Sequence, residues 1–211
     1  MRPDASVRGP YLEAFREIVS RIARSLAGTT PRALPVQMFV AGGAALYFYT
    51  GERVSADIDA VFSRRVALPE DLEVAYRDAD GQARLLYFDR QYNDTFGLLH
   101  ESAYEDSVPL TVDGVDPKVI EVRLLSPLDL ATSKIARLSD QDRGDIARLA
   151  RAGLIQAVAL RQRAEEALGG YVGDVARVRN SIELACNIVV DTARASSARR
   201  RRRPAAHKPG R

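Results

Sequence analysis

The chain has 211 residues, 46% of them hydrophobic and 28% charged, a balance that supports a buried core and excludes a wholly disordered, collagenous or coiled-coil chain. No run of 18 apolar residues occurs, and the first residues, MRPDASVRGP, lack the charged-then-apolar plan of a signal peptide, so the expectation is a cytoplasmic protein with no membrane span. The net charge of +3 is unevenly spread: residues 196–211 hold seven basic residues and no acid, which leaves 24 basic against 28 acidic residues over 1–195.

Taken in chain order, YLEAFREIVSRIARSLAG spaces Leu12, Phe15, Ile18, Val19, Ile22 and Leu26 as one apolar helix face, stopped at Gly28. VQMFVAGG predicts a buried strand ending in two glycines, and AALYFYTGE a brief helix closed by Gly51. SADIDAVFS predicts a strand with Asp57 and Asp59 on one face. Residues 72–89 predict two strands around an Asp80-Gly81 turn, while 91–106 is ambiguous between loop and short helix. LTV and VIEVRLL predict a second hairpin, with Glu121 in its second strand.

Beyond Pro127 the chain is helical: SPLDLATSKIARLS, capped by Ser126, then DQDRGDIARLARAG and two longer helices. The expected fold class is α/β (α+β), a small mixed sheet followed by helices. Its divisions are 1–125, an N-terminal helix and α/β core; 126–195, a helical C-terminal unit; and 196–211, a disordered Arg-rich tail. The helical unit either stands apart at Ser126-Pro127 or packs back on the sheet. The tail, SSARRRRRPAAHKPGR, suits contact with nucleic acid or an anionic surface, or serves only as a solvated appendage.

The single cysteine, Cys186, forms no internal disulfide, and with only His100 and His207 beside it no thiolate or imidazole zinc site can be built. Any metal must be held by carboxylates. The segment GGAALYFYTGERVSADID combines two features: a Gly42-Gly43 turn before a helix, where backbone N–H groups can approach phosphate oxygens, and the pair Asp57 and Asp59. Their Cα atoms stand about 6.5–7 Å apart by the strand rise, close enough to share hard divalent cations such as magnesium. Lysine occurs only at 118, 134 and 208 against 28 arginines, so Lys134 inside a helix invites a point-charge role.

This order of residues, Gly42, Gly43, Arg53, Ser55, Asp57 and Asp59, resembles the signature of DNA polymerase-β-superfamily nucleotidyltransferases, and most closely the small bacterial AbiEii-type toxin group. The resemblance covers roughly residues 36–150. It implies a third carboxylate on a later strand, for which Glu121 is the candidate, an outward-facing polar residue being the alternative. It also matches Lys134 to a phosphate-contacting lysine and Asp145 to the acid of a closing motif, although Gly144 stands where relatives often carry lysine.

The implied catalytic set is Asp57, Asp59, Glu121, Lys134 and Asp145. Two magnesium ions would be held by Asp57, Asp59 and Glu121, and a nucleoside triphosphate cradled by Gly42, Gly43, Arg53, Ser55 and Lys134. The implied activity is transfer of a nucleoside monophosphate to an RNA (tRNA) or protein hydroxyl, as a toxin of a toxin–antitoxin or phage-defence pair. The Arg-rich tail would contact RNA, and an antitoxin would be the cognate partner. The alternatives are a nucleotidyltransferase-fold protein that binds nucleotide or a partner without turnover, and a basic-tailed adaptor.

Overall fold

The computed structural model describes residues 9–94 and 97–202. Helix α1 (Pro10–Ser25) opens on a proline in its first turn and buries Tyr11, Ala14, Phe15, Ile18, Val19 and Ile22 as one stripe. Strand β1 (Val36–Val40) leads into α2 (Gly42–Thr50), which ends at Gly51 in the left-handed region (φ 66°), its N–H donating to the Tyr47 carbonyl. Strands β2 (Asp57–Ile58), β3 (Ala60–Phe62), β4 (Glu73–Arg77), β5 (Ala83–Phe88), β6 (Val108–Pro109) and β7 (Ile120–Leu124) follow. Helices α3 (Pro127–Ser133), α4 (Asp140–Arg151), α5 (Ala157–Ala167) and α6 (Val175–Arg202) complete the chain as described.

Two sheets form, in the orders β3-β1-β7-β6 and β2-β5-β4. β1 runs parallel to β7 and antiparallel to β3, and β2 runs parallel to β5. The predicted strand 55–63 is therefore two strands in two sheets, joined at Asp59. The Ala41 N–H donates to the Asp59 carbonyl (2.8 Å), and the Asp89 N–H donates to the neighbouring Ile58 carbonyl (3.1 Å). Alternation of side chains is the same whether a strand stays in one sheet or crosses to another, so the break leaves no mark on the pattern.

Three further boundaries differ from expectation. The first strand of the second hairpin lies earlier, at Val108–Pro109; the Leu110 N–H still donates to the Val122 carbonyl (2.8 Å), and a turn with the Val115 N–H on the Val112 carbonyl (3.1 Å) follows. Helix α3 stops at Ser133, with Lys134 at its C-cap, and Leu138 in the left-handed region (φ 46°) separates it from α4. Helix α6 continues through 196–202, residues read from composition as tail, while 203–211 lie outside the described residues.

One apolar cluster joins Phe15 and Ile18 of α1, Met38 and Val40 of β1, Ile58 and Leu86 of the second sheet, and Leu130, Ile146, Leu160 and Ile182 of the helices. Each such fully buried side chain contributes about 1.5–3 kcal/mol. Helices α3 and α4 pack against α2, which carries them to the glycine end of β1. Among the described residues no helix is long and apolar enough to cross a membrane.

Candidate active site

The site forms where β1 ends. Gly42 and Gly43 make the first turn of α2 and line a cavity of about 690 Å³. Their lack of a side chain is needed for close approach. Gly42 has φ 57°, and a Cβ there would stand 1.7 Å from Asp59 Oδ2; at Gly43 it would stand 2.5 Å from Ser55 Oγ and 2.8 Å from Arg53 Nη2. The helix start, with its unpaired N–H groups and positive end, is thus pressed against the carboxylate and hydroxyl that the DID strand delivers. Gly42→Ala combines that clash with a strained backbone. It is expected to cost several kcal/mol of stability and to abolish nucleotide binding, measured by urea unfolding and by calorimetric titration.

In the second sheet Asp57 lies opposite Tyr87 and Ile58 opposite Phe88. Asp59 and Asp89 follow directly after this ladder, the Asp89 N–H donating to the Ile58 carbonyl (3.1 Å), so by alternation Asp57, Asp59 and Asp89 share one face. All three line the cavity. The Ser55 hydroxyl donates to Asp57 Oδ1, and the Gln91 N–H donates to Asp89 Oδ1 (2.8 Å). Burial pushes the Asp59 carboxyl up to about 6; the charges of Asp57 and Asp89 add to the shift, and Lys134 and Arg137 oppose it. Like charges gathered on oxygen-only donors fit a hard divalent cation, which takes one or two carboxylates and completes its shell with water and phosphate. Among the described residues no three His, Cys, Asp or Glu side chains are drawn into a ready metal cage.

The opposite wall is basic. Lys134, 7% exposed, places Nζ 2.9 Å from Asp145 Oδ2 and 3.8 Å from Asp142 Oδ1. Asp145 is wholly buried; it accepts two hydrogen bonds from Arg53 (3.1 Å each) and one from Arg148 (3.3 Å). Asp145 therefore reaches the cavity through the cations it holds, Arg53 and Lys134. Asp142 caps α4 in a capping box with Ser139 and takes both prongs of Arg137 (2.8 Å each). Burial raises the Asp142 carboxyl, but the bonds from Arg137 and Ser139 outweigh it and hold it at about 2.

Residues 16–180 match the family model described as "Nucleotidyltransferase of unknown function (DUF6036)". The chain belongs to this nucleotidyltransferase family. No curated protein and no solved structure matches it. The matched span holds every residue of the cavity named above, from Gly42 to Asp142, and Asp145 behind them.

In this nucleotidyltransferase Glu121 is not brought to the aspartate pair, which corrects the expected third carboxylate. The β1–β7 register sets it opposite Gln37, near the start of β1 and away from the glycine end. Its carboxylate accepts from Gln37 Nε2 (3.0 Å) and Arg123 Nη1 (2.6 Å), bonds that hold it below its usual range, and it lines a separate depression of about 230 Å³. Asp89, immediately after ARLLYF, takes that place. Asp89→Asn is expected to lower transfer at least a hundredfold and Glu121→Gln to leave it within about twofold, read from initial rates.

Gly144, which stands where a lysine was expected in the closing motif, leaves the basic partners of Asp145 to come from elsewhere in the fold. Arg143 donates to the Leu138 carbonyl, and the basic partners of Asp145 are Lys134, Arg53 and Arg148. Arg137, Asp142, Tyr92 and Asp94 also line the cavity and were not singled out by sequence. Phe48 and Tyr49 are core, the Tyr49 hydroxyl donating to the Leu125 carbonyl (2.9 Å). His100 Nδ1 accepts from the Ser102 N–H (3.1 Å), and the buried Cys186 thiol faces the Ala157 carbonyl.

Proposed function

We propose that this nucleotidyltransferase moves a nucleoside monophosphate from a nucleoside triphosphate to a hydroxyl of RNA, with magnesium as cofactor. The observation that carries the reading is that Asp57, Asp59 and Asp89 line one cavity with the Gly42-Gly43 helix start and Lys134. Asp57, Asp59 and Asp89 would hold the metal, two ions being the expected number. Bound there, magnesium supplies Lewis-acid polarisation of the phosphate and lowers the acidity barrier of the attacking hydroxyl.

The chain's own groups bind and orient. The N–H groups of Gly42 and Gly43 and the Ser55 hydroxyl cradle phosphate oxygens. Lys134, Arg53 and Arg137 set positive charge against a triphosphate of about four negative charges, and Asp145 and Asp142 fix where those cations stand. In the transfer the acceptor oxygen bonds to the α-phosphorus, the α–β bridging bond breaks, pyrophosphate leaves, and the hydroxyl proton passes to solvent.

The Arg-rich stretch at 199–203 favours RNA over a protein hydroxyl, since arginine contacts to phosphates give affinity without sequence preference. A role as the toxin of a toxin–antitoxin or phage-defence pair, with an antitoxin as partner, rests on the resemblance to the AbiEii-type group. The test is incubation with each α-labelled nucleoside triphosphate, magnesium and total tRNA. Label in RNA, lost in the Asp57→Ala/Asp59→Ala protein, is the expected result; magnesium-dependent nucleotide binding with no label in any acceptor would transfer the reading to a binding protein without turnover.

A further inference from the structure

The face of the second sheet that carries the three carboxylates continues beyond them, bare. Tyr87 stands beside Asp57 in the parallel ladder, and two residues before Asp89 on β5. On the same face lie Leu85 and Ala83 of β5, and, across the β4–β5 register, Glu73 opposite Tyr87, then Ala75 and Arg77. Leu85 is 46% exposed and Tyr87 38%, and Val54 at the cavity rim is 47% exposed. The inward neighbours Leu86 and Phe88 are buried, so this sheet is covered on one side only. Asp57 acts on the Tyr87 hydroxyl strongly enough to push its acidity down, that is, its pKa up, with burial and Asp89 next.

We infer that this bare face is the acceptor platform, on which the terminal base of a single-stranded RNA stacks over Tyr87 and Leu85 so that its sugar hydroxyl meets the carboxylates. This rests on the transfer reading above. Three features favour RNA as the occupant. The face is continuous with the carboxylate floor, so an acceptor hydroxyl reaching Asp57 and Asp59 brings the body of its molecule over Tyr87. At Tyr87 and Phe88 the strand beneath, β5, lies between β2 and β4, so an extended peptide lying over Tyr87 finds no free strand edge on β5 there. A flat aromatic beside an aliphatic side chain is a stacking surface that accepts any base. Arg77, about 13 Å along the face from Tyr87 by strand rise, adds positive charge where the nucleic-acid backbone would leave.

The test uses the full chain, a short fluorescein-labelled single-stranded RNA with a free 3′ hydroxyl, and the variants Tyr87→Ala and Tyr87→Phe. Fluorescence anisotropy without nucleotide reads RNA affinity, and α-label transfer reads the acceptor and nucleotide KM separately. Tyr87→Ala is expected to weaken RNA binding and raise the acceptor KM about tenfold, one stacked base being lost. The nucleotide KM holds, and Tyr87→Phe restores RNA binding. RNA affinity equal in wild type and Tyr87→Ala, no RNA binding by wild type, or label found only on protein hydroxyls would each overturn the platform. Should wild type transfer no label while Tyr87→Ala still loses RNA affinity, the platform stands and the transfer reading fails.

Discussion

Asp59→Asn is expected to lower the proposed transfer about a thousandfold and at the same time to stabilise the metal-free protein at neutral pH. The loss would follow from removing a charged oxygen from the centre of the carboxylate floor, where the proposed metal would stabilise the transition state by several kcal/mol. The gain follows from the raised carboxyl, which burial and the charges of Asp57 and Asp89 move from 3.8 to about 6. An acid whose pKa is higher folded than unfolded favours the fold in its protonated form. Its contribution is therefore full below about 4 and lost as pH rises through about 6.

At pH 7.5 the wild-type protein holds that charge at a cost, and asparagine does not. The shift corresponds to about 3 kcal/mol undiscounted, and partial solvent access reduces it to about 1–2 kcal/mol, a rise in Tm of about 3–8 °C for a chain of this size. The gap closes as pH falls from 7 to 4, and saturating magnesium narrows it by stabilising wild type alone. Scanning calorimetry across that range checks the sign, and a less stable Asp59→Asn protein at pH 7.5 would contradict the converged-charge geometry.

Asp145→Ala is expected to be the most destabilising single change in the site. The carboxylate is wholly buried and holds Lys134 at 2.9 Å, Arg53 by two bonds and Arg148 by one. Its removal leaves a 7% exposed lysine facing only Asp142 at 3.8 Å. Breaking a buried pair by deleting one partner costs about 3–5 kcal/mol, because the remaining charge has lost its compensation. Urea unfolding reads that cost. Asp145→Asn keeps the shape but offers one acceptor oxygen where Arg53 grips two, so it is expected to fold less stably than wild type and to bind nucleotide at least tenfold more weakly as Arg53 and Lys134 lose their anchor.

How much of this was legible in the sequence depends on how far apart the cooperating residues lie in the chain. The stripe of α1, the β1–glycine–α2 unit and the Asp57-Asp59 pair are contiguous, and periodicity and spacing report them. Asp89 was read as the end of a strand and no more, because its partnership with Asp59 is made by parallel pairing of β2 with β5, thirty residues apart. Glu121 was the acidic residue on a later strand that a linear reading finds. Its register opposite Gln37, which only the assembled sheet fixes, puts it at the other end of β1. Lys134 was legible as unusual, but its partners in α4, Asp142 and Asp145, are met only where α3 stops at Ser133 and the chain turns back, an arrangement that intrinsic propensity does not encode.

The central claim is that Asp57, Asp59 and Asp89 hold a divalent metal against a triphosphate cradled by Gly42 and Gly43. Crystals grown with manganese and a nucleoside triphosphate carrying a non-hydrolysable α–β bridge test it most directly, since manganese is located by its anomalous scattering. Manganese is expected in contact with Asp57 and Asp59, Asp89 completing the carboxylate side, and the phosphates between the α2 N-terminus and Lys134. Manganese or triphosphate ordered elsewhere, as in the depression beside Glu121, with the three aspartates free of both, would contradict it.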